Sequence, residues 1–176
     1  AKYISGYVQK GVMNNAAVRI IGVNSLGQLD TDANGVVSGP VSYTGSDGRY
    51  SSAINKDFNG SLVAMVRPRF KEVACTDVGG CLDVYGYRFE QGSVVWPDPD
   101  GEILTTIVCD SHDGCLAPSG SVDFGVVYRP GKDFMMLAAV SGAQNDSVIN
   151  ITPLTHMAAN LANTVFQEGV FSQGIY

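Results

Sequence analysis

Two matched segments, Cys75-Thr-Asp-Val-Gly-Gly-Cys81 and Cys109-Asp-Ser-His-Asp-Gly-Cys115, hold all four cysteines of the chain. An even count at doubled C-x5-C spacing points to disulfides and an oxidising compartment, with Gly79, Gly80 and Gly114 letting each small ring close. Local pairing is the expectation. A seven-residue ring stabilises by about 2 to 2.5 kcal/mol in the loop-entropy model and cross-pairing over roughly 35 to 40 residues by nearly 4, so energetics alone leaves the connectivity open. The rival is a zinc site built from Cys75, Cys81, Cys109 and Cys115 with His112 recruited. Paired zinc-binding cysteines favour shorter spacings of two to four residues, which argues for disulfides.

Asp30-Thr31-Asp32-Ala33-Asn34-Gly35 has the alternating oxygens and the glycine of a calcium loop, with Asp30, Asp32 and Asn34 as ligands and calcium as the only cofactor indicated. Its twelfth position is Val41 where a bidentate Glu would stand, so a solvated turn explains the segment as well. Catalysis has few candidates, because His112 and His156 are the only histidines. His112 lies in a cysteine loop that supports a base poorly, and His156 falls on a helix as a surface or packing residue. Nucleophile-elbow, zincin and phosphate-loop motifs do not occur in the sequence. The expectation is therefore a protein that is not an enzyme and has no catalytic residue. Lys10 and Asn150, beside Glu72 or Glu90, are conceivable parts of an isopeptide crosslink; an exposed Lys and a capping Asn are the plainer identities. Tyr85, Tyr87 and Trp96 could stack on sugar rings, against the ordinary alternative that Tyr85, Tyr87 and Phe89 share the buried face of a strand.

The elements that must position these groups are short strands. Tyr3 to Val8, Ala17 to Val23, Arg49 to Ile54 and Ser61 to Val66 alternate or run apolar, separated by Asn14-Asn15, Asp32-Ala33-Asn34-Gly35, Ser46-Asp47-Gly48 and Asn59-Gly60. A second set is expected at 93–96, 103–108, 121–128, 134–140 and 147–151, broken at Trp96 to Gly101 and at Arg129-Pro130-Gly131. One helix follows: Thr152 caps it, Pro153 suits its first turn, and Leu154, Met157, Ala158, Leu161, Ala162 and Val165 recur at helical spacing as far as Gly169. That stripe is expected to dock on the sheets. The fold class read from this pattern is mainly β, a β-sandwich of Greek-key-like short strands with one C-terminal α-helix. Residues 1–151 form the sandwich domain (1–67 and the cysteine-bearing 68–151), and 152–176 the helix and tail.

Ile4-Ser5-Gly6-Tyr7-Val8, Asn15-Ala16-Ala17-Val18-Arg19-Ile20 and Gly45-Ser46-Asp47-Gly48-Arg49-Tyr50-Ser51 together resemble the carboxypeptidase regulatory-like domains, relatives of the transthyretin-type sandwich found in bacterial surface proteins. Asn150-Ile151-Thr152-Pro153-Leu154-Thr155-His156-Met157-Ala158-Ala159 is similar to the T-P-L-T stretch that follows such domains in some bacterial secreted and lipid-anchored proteins. The resemblance implies a structural spacer or an adhesive module. It carries no catalytic residue across.

Composition narrows the partners. The 176 residues carry 11 Lys and Arg against 17 Asp and Glu, a net charge of −6 that argues against tracking nucleic-acid phosphates. Hydrophobic residues at 45% and charged residues at 16% suit one folded domain with a real core. No apolar run reaches membrane-spanning length, so no membrane span is expected. The sequence thus reads as an extracellular or cell-surface protein acting through contact, with like subunits in an oligomer or fibre as its expected partners. A carbohydrate-binding module contacting a surface glycan is the alternative, and the solvent exposure of Trp96 discriminates between them.

Overall fold

Arg49-Tyr-Ser-Ser-Ala-Ile54 alternates strictly, with Tyr50, Ser52 and Ile54 buried and Arg49, Ser51 and Ala53 exposed, the signature of a strand with one face on a core. Ala17 to Gly22 is buried throughout, Arg19 included, as a strand covered on both sides is. The computed structural model describes residues 2–22, 41–54, 61–83, 88–93, 96–140 and 147–159. In chain order the strands are β1 (Lys2–Tyr7), β2 (Val12–Asn14), β3 (Ala17–Gly22), β4 (Ser42–Tyr43), β5 (Arg49–Ile54), β6 (Leu62–Arg67), β7 (Glu72–Val73), β8 (Cys81–Leu82), β9 (Arg88–Phe89), β10 (Trp96–Pro97), β11 (Thr106–Val108), β12 (Cys115–Ala117), β13 (Gly120–Val122), β14 (Val127–Tyr128), β15 (Met136–Val140) and β16 (Ser147–Val148). Residues 153–159 form a helix, α1. The chain is mainly β, as expected.

Three sheets supply one core: the four-stranded β15-β6-β3-β4, the three-stranded β16-β1-β5 and the three-stranded β14-β11-β2. Ile4, Tyr50 and Ile54 come from the second sheet, Val18, Ile20, Leu62, Ala64, Val66, Met136 and Ala138 from the first, and Met13 and Ile107 from the third. Burying such side chains stabilises by about 1.5 to 3 kcal/mol each. Two buried threonines knit the corners. Thr44 Oγ1 accepts from the Ala16 N–H at 2.9 Å and donates to the Met13 carbonyl at 2.8 Å. Thr105 Oγ1 accepts from the Arg69 N–H and donates to the Asn15 carbonyl, both at 2.8 Å. Asn15 itself sits at φ 60°, the left-handed turn its residue type tolerates.

β1 lies inside its sheet, antiparallel to β5 on one side and parallel to β16 on the other. The parallel ladder continues past β16, with Ile149 N–H on the Ser5 carbonyl, Ile151 N–H on the Tyr7 carbonyl and Gln9 N–H on the Ile151 carbonyl. Asn150 Oδ1 accepts from the Tyr7 N–H at 3.1 Å, a side chain filling a place in the ladder. A Cβ on Gly6 would run into the Ile149 carbonyl, so the close approach of these strands requires glycine there.

Two expectations are corrected. The single strand expected over 121–128 is two, β13 and β14, because Gly125 at φ 84° and a Val126 N–H to Asp123 carbonyl bond make a turn between them. The apolar stripe of the helix does not dock within its described part: Leu154 is 75% and Met157 67% exposed, while Thr155, His156 and Ala159 face the sheet. Polar side chains on an edge strand outweigh the stripe. Residues 160–176, including Leu161, Ala162 and Val165, lie outside the described residues.

Candidate contact surface

Antiparallel register places Val108 of β11 opposite both Val12 of β2 and Val127 of β14, so the three valines form a row across the outer face of this sheet. The inward row is Met13, Ile107 and Tyr128, of which Met13 and Ile107 are fully buried. Val108 is 37% and Val127 58% exposed, and the adjoining Val126 and Phe124 are 40% and 53% exposed. Phe124 stacks on His112 with centroids 4.5 Å apart. The imidazole of His112 thus serves as part of an aromatic pair.

The second disulfide, Cys109–Cys115, closes the loop behind this face, and Cys75–Cys81 closes the other. Local pairing is what the structure shows. With every cysteine oxidised, no thiolate is left for zinc. Cys109 bonds backbone to backbone with Gly125 and Val126, and Cys115 pairs with Val122, so the ring staples β11, β12 and the turn that carries Phe124. Cys75 bonds likewise to Gly92 and Ser93, and Cys81 pairs with Phe89. The glycines that permit these rings include Gly80 and Gly114, at φ 85° and 92°.

Asp30, Asp32, Asn34, Tyr85 and Tyr87 lie outside the described residues. Among the described residues no cluster of three or more His, Cys, Asp or Glu could hold a metal. Trp96 is half-buried beside Val73 on the neighbouring strand, and its indole Nε1 is buried without a hydrogen-bond partner. Lys10 lies over the Phe134 ring at 5.3 Å, and Asn150 is engaged with Tyr7. The ion pairs among the described residues, Arg49–Asp47, Arg129–Glu102 and Lys132–Asp100, are exposed and contribute little.

Three tyrosines among the described residues have perturbed hydroxyls. Burial pushes Tyr50 far above its ordinary range, and its hydroxyl donates to the Ile149 carbonyl at 2.6 Å. Burial raises Tyr128, with the Asp110 charge adding to it. Burial also raises Tyr43, opposed by the Arg69 guanidinium that stacks 3.8 Å from its ring centre and reinforced by Glu72 and Asp83.

Sequence reading missed the work of Thr155 and His156. His156 Nδ1 accepts from the Leu137 N–H at 3.1 Å, and Thr155 Oγ1 lies 2.9 Å from the Leu137 carbonyl. Thr155 and Thr152 also exchange reciprocal backbone-to-hydroxyl bonds, at 2.8 and 3.2 Å, a capping box with Thr in the usual Glu position. The T-x-x-T spacing held that signal.

No protein-family model, curated protein or solved structure matches the chain, so its function is argued from this geometry.

Proposed function

We propose that the chain is a non-enzymatic extracellular module of a bacterial surface, structural or adhesive, that assembles with copies of itself into a fibre. The observation that carries this reading is the row of Val12, Val108 and Val127 on the outer face of the β14-β11-β2 sheet, with Val108 37% and Val127 58% exposed, since exposed apolar surface of this kind marks protein contacts. Two local disulfides support an oxidising compartment. No described helix is long and apolar enough to cross a membrane. Strand addition is the proposed second contact. β1 has partners on both sides, so the proposed place for it is β5, an edge strand of that sheet.

Sedimentation and electron microscopy of concentrated protein test the proposal. Oligomers or filaments are expected from the native chain, and Val108→Asp with Val127→Asp should leave monomers that remain folded by circular dichroism. A native chain that stays monomeric at high concentration overturns it.

A further inference from the structure

Four separate hollows succeed one another around the β1–β2 turn, each sharing wall residues with the next, and together make a divided trough. The first, about 250 Å³, is lined by Ser5, Tyr7, Arg49 and Asn150. The second, about 220 Å³, keeps Tyr7 and Arg49 and adds Gln9, Gly11 and Asp47. The third, about 350 Å³, keeps Gln9 and Gly11 and adds Lys10, Asp110, Leu116 and Tyr128. The fourth, about 220 Å³, keeps Lys10, Leu116 and Tyr128 and ends at Pro130 and Phe134. Each is of a size that a single sugar ring can occupy.

We propose that this trough binds an extended, neutral oligosaccharide, one ring to a hollow. The chemistry of the lining selects the class. Tyr7, 36% exposed, and the half-buried Tyr128 offer ring faces, which suit the apolar side of a pyranose. Beside them stand planar amide, carboxylate and guanidinium groups, Asn150 and Arg49 in the first hollow and Gln9, Asp47 and Asp110 in the next two, which match pairs of hydroxyls. Gln9 Nε2 already reaches Asp110 Oδ2 at 3.5 Å, bridging the second and third hollows. The charges of Lys10 and Arg49 balance those of Asp47 and Asp110, so the lining gives a charged sugar no advantage over a neutral one.

A peptide strand is a poorer occupant. Strand addition needs free backbone groups, and on the trough floor the N–H of Tyr7 goes to Asn150 Oδ1, that of Val8 to the Gly48 carbonyl and that of Gln9 to the Ile151 carbonyl. Recognition there falls to side chains. The site does not depend on the assembly reading, because a monomer can hold a sugar as a filament can.

The test is an NMR titration of the full chain with cellohexaose, maltohexaose and mannohexaose, with hexagalacturonate and the peptide Lys-Tyr-Ile-Ser-Gly-Tyr as comparisons. At least one neutral hexasaccharide is expected to shift Tyr7, Gln9 and Tyr128, its trisaccharide to bind at least tenfold more weakly, and hexagalacturonate to bind no tighter. Tyr7→Ala and, separately, Gln9→Ala should each weaken binding at least threefold with the remaining spectrum unchanged. The proposal is overturned if no neutral hexasaccharide shifts these residues at millimolar concentration, if the peptide alone binds, or if both variants bind as the native chain does.

Discussion

The imidazole of His156 accepts a hydrogen bond from the backbone N–H of Leu137 at 3.1 Å. Leu137 lies in β15, an edge strand whose one neighbour among the described strands is β6. Its outward N–H and C=O are the groups that would otherwise invite another chain to pair. His156 occupies the first and Thr155 the second, so the short helix protects an edge with side chains.

His156→Ala should therefore uncover the Leu137 amide. Hydrogen exchange at Leu137 is expected to accelerate by at least tenfold relative to amides of β3, with a loss of about 1 kcal/mol in stability on denaturant unfolding. An unchanged exchange rate would deny the cap.

Thr155→Val keeps the shape and removes the hydroxyl that serves Thr152 and Leu137. Two backbone groups lose a partner together, so a loss of about 1 to 3 kcal/mol is expected. Thr155→Ser should restore most of it. Thermal unfolding of the three proteins decides.

Gly6→Ala tests the crossing of β1 against the segment after β16. The added methyl meets the Ile149 carbonyl and Asn150 Oδ1, and overpacking against backbone costs about 1 to 3 kcal/mol. The ladder bonds from Ile149 and Ile151 should open first, read as faster exchange at those two amides.

Tyr50 makes stability fall in alkali. Its folded hydroxyl is held protonated far above the ordinary value of about 10. The unfolded chain releases that proton at about pH 10 while the native chain keeps it, so its contribution is complete below that pH and is lost as pH climbs above it, by up to about 1.4 kcal/mol per pH unit. Tyr50→Phe should flatten the alkaline limb of a stability–pH curve, while lowering stability at neutral pH by about 1 to 2 kcal/mol through loss of the bond to Ile149. A limb of unchanged slope counts against it.

Cys109→Ser with Cys115→Ser should cost about 2 kcal/mol, the value for a short ring, and loosen the turn that carries Phe124. Peptide mapping of unreduced protein should recover Cys75 with Cys81 and Cys109 with Cys115, never crossed.

Local pattern carried much of this fold. The alternation of Arg49 to Ile54 and the largely apolar segment from Ala17, which only Arg19 interrupts, gave their strands within a residue, because each pattern reports a face or faces of one sheet. The doubled cysteine spacing gave both rings. Pattern failed where tertiary contacts decided: Gly125 could have sat inside a strand but turns, and Leu154 and Met157 keep helical spacing yet face outward because Thr155 and His156 answer an edge that no periodicity reveals. The hollows around the β1–β2 turn were illegible for the same reason, since Tyr7 and Tyr128 belong to different sheets that only the folded chain brings near one turn.

The parallel seam between β1 and residues 147–151 has a bearing on biogenesis. The earliest strand obtains its second neighbour from a segment some 140 positions downstream, and loops that long close late and slowly. A chain whose residues 147–151 are not yet free to fold lacks that neighbour, so β1 gains its second ladder only once that distant segment arrives.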